Sequence, residues 1–401
     1  MARKKTNILD LDKDLLKKKV KEKFGRELIK SVECELLSKE IFAITKKSIG
    51  SNTLRRFFGF LDHDFSTSLN TLNTLSEYID YDNWHSFIHT TLPHYKSLSL
   101  DDEANIYRQF YSIEIREEND MNYHNICRNA AFRILLNEDL FLKMALTLAK
   151  NKVSQIYFYE RFPFIDGLCK FYKKGIVLYL QNTTNDNASL FGNSLLFLSA
   201  FLSKNIKDLH KYIFKIEEIT ITEQMHPFLI ARSIGSKILY TTIQNGDFKS
   251  LLEEVHKWNI FFLRKERIDF WHYPYFQKMI CDYLNLAGLF DESSSILKKI
   301  PANKKEYEIE DGYGESLKVV EKIAFHKKSE ETFKQWFEET HLHKNKDFIK
   351  SKINPLFKKY FELQACSIYF SIVKTPAKKI KIKTRIETLI DETGFTFFQV
   401  S

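Results

Sequence analysis

Glycine and proline are scarce in this chain, with 12 Gly and 7 Pro among 401 residues. Both residues punctuate strands and form tight turns, so their scarcity leaves few places where the strands of a sheet could reverse. Lys, Leu and Glu, which favour helices, are abundant along the sequence. Hydrophobic residues make up 44% of the chain, enough to form a packed core. The sequence therefore predicts an all-α protein.

The chain is basic, with a formal net charge of +9 and a pI near 9.0. This charge favours acidic partners such as nucleic acid. The N-terminus has no apolar signal segment, and no run approaches the roughly 18 apolar residues that a membrane-spanning helix needs. We expect a cytoplasmic protein without a membrane partner. The five scattered cysteines predict neither disulfides nor a thiolate metal site: Cys34, Cys127, Cys169, Cys281 and Cys366.

A short polar and cationic stretch, "SNTLRRFFGF", follows an amphipathic segment and Gly50. Ser51 is in a position to cap a helix, and the apolar residues Leu54, Phe57, Phe58 and Leu61 recur at helical spacing. The sequence predicts a short helix with these four side chains in the core. The preceding segment has a similar apolar stripe, which we expect to be buried: Leu28, Val32, Leu36, Leu37, Ile41 and Ile44.

The opposite face of the predicted short helix carries side chains that suit DNA recognition. Asn pairs with adenine and Arg with guanine in the major groove, while Ser, Thr and Lys reach phosphates. The first turns of this helix and the residues before it supply all these types. The predicted DNA-binding residues are Ser51, Asn52, Thr53, Arg55, Arg56, Lys46 and Lys47.

The residues after this helix complete a family resemblance. "SNTLRRFFGF" followed by "SLNTLNTLSEYIDY" resembles the Cro/repressor-like helix-turn-helix, and also a variant found in uncharacterised proteins of the Bacteroidetes group. The resemblance implies a small DNA-binding bundle over residues 1–95, although the Gln-rich first turn of the family has no counterpart. The matching positions are Thr53, Leu54, Arg56, Phe58, Gly59, Ser68, Thr71, Leu72, Leu75, Tyr78, Ile79, Tyr81 and Trp84.

Residues 96–401 alternate amphipathic segments with short polar breaks. Two stretches resemble tetratricopeptide repeats: small residues such as Gly235 stand where helices would approach, and Phe248 and Phe290 follow turns at Gly246 and Gly288. The resemblance implies an α-solenoid-like array with a groove for a peptide or protein ligand, or for a second copy of the chain in a homodimer.

Catalytic motifs are missing from the sequence, so we expect neither an enzyme nor a cofactor. His85 and His89 have the spacing of a metal pair, but Trp84 and Phe87 favour packing there. The cationic run 374–385 fits either a solvated capping helix or a phosphate-contacting patch.

Three hypotheses follow from these patterns. The leading one is a sequence-specific regulator that binds double-stranded DNA through the N-terminal bundle and uses the helical repeats for sensing or dimerisation. The first alternative is a helical-repeat scaffold that binds proteins and has no DNA role. The second is a nucleic-acid-directed defence effector, which would need carboxylates brought together from distant segments.

Overall fold

The computed structural model describes residues 10–26, 32–61, 67–84, 87, 99–113, 115, 121–264, 273–301, 313–341 and 354–400. Within these ranges every regular element is a helix, which confirms the all-α prediction. The chain divides into two compact units, Met1–Ser99 and Leu100–Ser401. None of the helices described is long and apolar enough to cross a membrane.

Four helices form the described part of the first unit: α1 Asp10–Phe24, α2 Glu33–Thr45, α3 Ser51–Phe57 and α4 Leu69–Tyr78. Helix α2 packs against both α3 and α4, and α1 packs against α4. The shared core is aliphatic and aromatic, and it includes Leu16, Val20, Leu37, Ile41, Leu54, Phe57, Leu72, Leu75 and Tyr78. Burial of these side chains stabilises the bundle.

Two predicted burial patterns in the first unit are wrong. Helix α3 ends at Phe57, and Gly59 adopts a positive φ of 83°, so Leu61 lies beyond the helix and is 42% exposed. In α2, Leu37 and Ile41 are buried, but Leu36 and Ile44 are exposed, as is the preceding Val32 at 64%. Among the described residues, α2 packs against α3 and α4 and buries Leu37 and Ile41. Leu28 lies outside the described residues.

The second unit contains fourteen α-helices of 9 to 18 residues in its described part. They are α5 Leu100–Tyr111, α6 Met121–Leu135, α7 Glu138–Lys150, α8 Tyr172–Gln181, α9 Asp186–Leu202, α10 Ile206–Glu217, α11 Pro227–Gln244, α12 Lys249–Arg264, α13 Tyr275–Leu286, α14 Phe290–Lys298, α15 Tyr313–Phe325, α16 Glu330–His341, α17 Lys358–Ile372 and α18 Pro376–Thr393. A short turn, Lys152–Ser154, runs into a π-helix, Gln155–Glu160. The 3₁₀ turns His326–Lys328 and Thr396–Phe398 complete the set.

Alternate helices of this unit pack on one another. Helices α9, α11, α13, α15 and α17 contact each other in that order, while α10, α12, α14 and α16 each lie against the two helices that flank them in the chain. Helices α11 and α13 approach closely at Gly235, where an added Cβ would lie 2.3 Å from the ring of Tyr283. A larger residue at position 235 would therefore push α13 away.

A single carboxylate joins the early and late parts of the second unit. Asp166 accepts hydrogen bonds from the backbone N–H groups of Lys359 (2.8 Å) and Tyr360 (2.9 Å), at the start of α17. The N–H of Asp166 in turn donates to the carbonyl of Leu356 at 3.0 Å. Asp166 thus caps a helix that begins almost two hundred residues later in the chain.

Replacing Asp166 by Ala should lower the free energy of unfolding by about 2 kcal/mol or more, because two N–H groups at the start of α17 lose their acceptor. Asp186 is exposed in the first turn of α9. As a matched control, Asp186→Ala should cost less than about 1 kcal/mol. Chemical denaturation of both variants measures the difference, and equal losses would contradict the capping role.

Stability should also depend on pH through this carboxyl. Burial raises the pKa of Asp166 to about 7, although the two N–H groups and the charge of Lys359 act in the opposite direction. An unfolded Asp has a pKa of about 3.9. Between these values the folded protein binds more protons than the unfolded chain, so the contribution of Asp166 to stability falls as pH rises from about 4 to 7.

The variant Asp166→Asn cannot titrate, and it isolates this effect from other groups. The free energy of unfolding of the wild type minus that of the variant should be larger at pH 5 than at pH 8. Denaturation curves of both proteins at the two pH values give the comparison. An equal difference at pH 5 and pH 8 would show that the pKa of Asp166 is the same in the folded protein and in the unfolded chain.

Candidate nucleic-acid interface

The connection 46–50 sets the angle between α2 and α3. Lys46 adopts a left-handed conformation at the end of α2, and its N–H donates to the carbonyl of Phe42. The Ser38 hydroxyl donates to the carbonyl of Ile49 at 2.6 Å, and the Ile49 side chain is buried. These contacts fix the connection between the two helices, so that α3 presents a defined face to solvent.

The cap of α3 differs from the prediction. Gly50 occupies the capping position in an extended conformation, and its carbonyl accepts from the N–H groups of Thr53 and Leu54. Ser51 is instead the first residue of the helix, and its side chain is half-buried. Helix α4 is capped by a side chain, because the Ser68 hydroxyl accepts from the N–H of Thr71 at 3.2 Å.

The predicted recognition residues of α3 differ in exposure. Asn52 and Arg56 are exposed, whereas Thr53 is half-buried like Ser51. Arg55 is less accessible, with a side chain 21% exposed. The exposed positions lie opposite Leu54 and Phe57, which are buried in the core of the first unit. Asn52 and Arg56 are therefore the α3 side chains most accessible to a macromolecule.

Arg55 makes contacts within the protein that the sequence did not reveal. One guanidinium nitrogen, Nη2, lies 2.7 Å from Oε1 of Glu35 on α2. A second nitrogen, Nη1, donates to the side-chain oxygen of Asn52 at 2.9 Å. The Arg55 guanidinium therefore links α2 to α3 and orients the Asn52 amide, whose NH₂ group remains the donor end.

The two predicted lysines of the connection 46–50 are both exposed. The Nζ atom of Lys46 donates to the carbonyl of Ala43 at 2.9 Å, and that of Lys47 forms an ion pair with Glu77 on α4 at 2.6 Å. Surface pairs of this kind contribute little to stability and exchange readily with other anions. Both ammonium groups lie beside α3 in sequence and can contact a phosphate.

Sequence reasoning missed one further cation, Lys21 of α1. Its Nζ atom lies 5.9 Å from the ring centre of Phe58, just after α3 ends. Lys17, one turn earlier, lies 5.8 Å from the ring of Phe57. The spacing of lysines at 17 and 21 on one helical face was visible in the sequence, but its closeness to α3 depends on the tertiary packing.

Three cationic side chains of the run 374–385 pack against other helices: Lys378, Arg385 and Lys379, whose Nζ atom lies 4.8 Å from the ring centre of Phe370. Lys378 contacts Glu338 at 2.6 Å, and both Nε and Nη2 of Arg385 donate to the buried Glu362 carboxylate, at 2.7 and 2.9 Å. Within the described ranges, no group of three or more His, Cys, Asp and Glu residues could hold a metal ion. His85 and His89 lie outside those ranges.

The chain matches no family model, no curated protein and no solved structure. What the geometry offers is a short helix with exposed Asn52 and Arg56, flanked by the ammonium groups of Lys46, Lys47 and Lys21. Amide and guanidinium groups can pair with base edges, and ammonium groups with phosphate oxygens.

The outward face of α3 should be dispensable for folding. Arg55→Ala should change the free energy of unfolding by no more than about 1 kcal/mol, because the pair with Glu35 is at the surface. The adjacent Leu54→Ala should cost about 2–5 kcal/mol, because it leaves a cavity in the core. Thermal unfolding followed by circular dichroism compares the two, and similar losses would mean that Arg55 is structural.

Proposed function

We propose that this protein is a sequence-specific DNA-binding regulator of the cytoplasm. In this proposal α2, the connection 46–50 and α3 form a helix-turn-helix of the Cro/repressor-like type. The second unit is a tetratricopeptide-like array for sensing or dimerisation. The observation that carries the proposal is the face of α3, on which Asn52 and Arg56 are exposed opposite the buried Leu54 and Phe57.

Base recognition would come from the two exposed side chains. Arg56 would donate two hydrogen bonds to a guanine, the commonest specific contact in the major groove. Asn52 would contact an adenine, for which its side-chain oxygen must leave the Nη1 atom of Arg55. Ser51 and Thr53, which are half-buried, would contact the backbone from the first turn of α3.

Phosphate contacts would come from the cations around α3. Lys46 and Lys47 follow α2, and Lys21 lies beside Phe58 at the far end of α3. Ammonium groups therefore lie near both ends of α3. A recognition helix in the major groove has a phosphate backbone on each side, so each group would contact one of them. Each phosphate neutralised in this way adds to the salt dependence of binding.

Arg55 would act as a switch between two acidic partners. In the structure it pairs with Glu35 at 2.7 Å, so the guanidinium is neutralised when DNA is absent. A phosphate or a guanine can replace this carboxylate, because the pair is partly solvated and therefore weak. A contact between Arg55 and DNA would then break the ion pair with Glu35, so α3 would lose one link to α2.

The second unit would supply the regulatory part. Its alternate helices pack in series from α9 to α17, which supports a helical-repeat array. Such an array binds a peptide or protein ligand in its groove, or a second copy of the chain. A homodimer would place two α3 helices on successive half-sites, and a ligand would alter their spacing.

Selection from a random duplex library with the full-length protein tests the proposal. We expect one enriched motif whose affinity falls steeply with salt, since phosphate contacts release counterions. Arg56→Ala should weaken binding to that motif about tenfold or more and relax one base position. Lys47→Ala should weaken binding to every sequence and reduce the salt slope by about 1.

The matched control is Lys207→Ala combined with Lys299→Ala, two exposed lysines of the second unit. This variant should keep both the motif and the salt slope, which shows that the loss does not follow from net charge alone. The absence of an enriched motif, or an unchanged motif in the combined Asn52→Ala and Arg56→Ala variant, would contradict the proposal.

A protein-interaction scaffold is the second candidate, and the contact between Arg55 and Glu35 favours it. A recognition arginine that is already neutralised within the protein suits a surface that docks another protein. Under this alternative the selected library would show weak and unselective binding. The N-terminal surface would then bind protein, and Arg56→Ala would leave the salt dependence of DNA binding unchanged.

A further inference from the structure

The centre of the second unit contains a buried arginine. Arg232, in the middle of α11, is 4% exposed, and its Nη1 atom is buried without a hydrogen-bond partner. No carboxylate in the described part of the chain forms a salt bridge with it within 4.0 Å. A buried charge with an unpaired donor is costly, so such groups ordinarily have a binding partner.

Three hydroxyl groups around Arg232 share this property. Ser236 lies one turn further along α11, Tyr283 comes from α13, and Tyr172 begins α8. The hydroxyl oxygen of each is buried and forms no hydrogen bond of ordinary geometry. Ser236 and Arg232 nevertheless lie close enough to the Tyr283 hydroxyl to lower its pKa, as the N–H of Phe164 does for Tyr172, while burial raises the pKa of both tyrosines. The positive charge of Arg232 lowers the pKa of both tyrosines, against the larger effect of burial, which places the guanidinium near both rings.

All four groups are able to donate hydrogen bonds. Arginine has only donors, while tyrosine and serine hydroxyls each have one O–H. The ring of Tyr283 is held against α11 because Gly235 has no side chain. None of these four groups can accept several hydrogen bonds at once. An oxyanion, such as a carboxylate or a phosphate group, is an acceptor of that kind.

The charges nearby are also unbalanced. Lys278 on α13 is 5% exposed, and burial lowers its pKa to about 8, while Arg232 acts in the same direction and Asp282 in the opposite one. Both cations interact with Asp282, whose carboxylate accepts from the Gln364 amide at 2.9 Å.

The other buried carboxylates of the described residues have partners elsewhere. Asp166 is held by the N–H groups at the start of α17, and Glu362 by Arg385. Two buried cations therefore share one carboxylate, Asp282. Counted formally, two cations and one carboxylate leave one positive charge, which an anion would neutralise.

We propose that Arg232, Ser236, Tyr172 and Tyr283 form a buried binding site for an oxyanion, either a carboxylate or a phosphate group. The guanidinium supplies the charge and a pair of parallel N–H groups, and the three hydroxyls complete the donor set. This site lies in the second unit and is independent of whether the first unit binds DNA.

Binding is measured on the full-length protein without DNA. Inorganic phosphate and acetate, each compared with sodium chloride of equal ionic strength, serve as probes for the two oxyanion classes. At least one of them should raise the melting temperature in a concentration-dependent manner after equilibration. The more effective probe identifies the class. If neither raises the melting temperature beyond the chloride control, the proposal is overturned.

Removal of single hydroxyls locates the site while keeping the shape of the core. Tyr283→Phe and Tyr172→Phe should each weaken the affinity for the effective probe about tenfold, as measured by calorimetry, because each loses a hydrogen bond to a charged group. The matched control is Tyr111→Phe, since Tyr111 on α5 also has a buried hydroxyl without a partner. Equal affinity in all three variants would overturn the proposal.

Arg232→Leu separates binding from a structural role. The variant should lose the response to phosphate and acetate, and its melting temperature without either ion should be no lower than that of the wild type, because a poorly compensated buried charge has been removed. A large fall in the melting temperature would show instead that Arg232 is an internal partner of Asp282.

Discussion

The two hydrogen bonds that Asp166 accepts from the start of α17 close the second unit upon itself. The donors Lys359 and Tyr360 lie 193 and 194 positions after Asp166 in the sequence. The helices between them must therefore pack at nearly fixed distances for the two bonds to form. The C-terminal residues add to this closure, because Thr396–Phe398 packs against α9 and the rings of Phe397 and Phe201 lie 4.7 Å apart. The large entropy cost of such a closure is offset by the burial of the helices that it encloses.

The same closure explains why charged groups can be buried at the centre of the unit. Alternate helices from α9 to α17 contribute their inner faces, and Arg232, Lys278 and Asp282 all project from this series. A low dielectric strengthens every interaction among them and makes unpaired groups costly. The first unit shows the contrasting situation, since the pair formed by Arg55 and Glu35 is at the surface and can exchange partners.

Local sequence patterns predicted part of the first unit, because helix periodicity depends on neighbouring residues. Leu54 and Phe57 are buried as their spacing predicted, whereas Gly50 rather than Ser51 caps α3. The exposure of Leu36 and Ile44 could not be predicted, since a helix pattern does not specify how many sides of the helix have neighbours. Contacts between distant residues were equally inaccessible: the ion pair of Arg55 and the cap formed by Asp166 depend on the tertiary arrangement.

The close contact between Gly235 and Tyr283 limits how the second unit can move. The ring lies in a notch on α11 that an added methyl group would fill, so α11 and α13 cannot slide along each other without losing this fit. Helices that interlock in this way move as one body, and a conformational change is taken up where packing is less tight. We therefore expect α11 and α13 to move together, so that any conformational change of the unit is a displacement of the flanking helices relative to this pair.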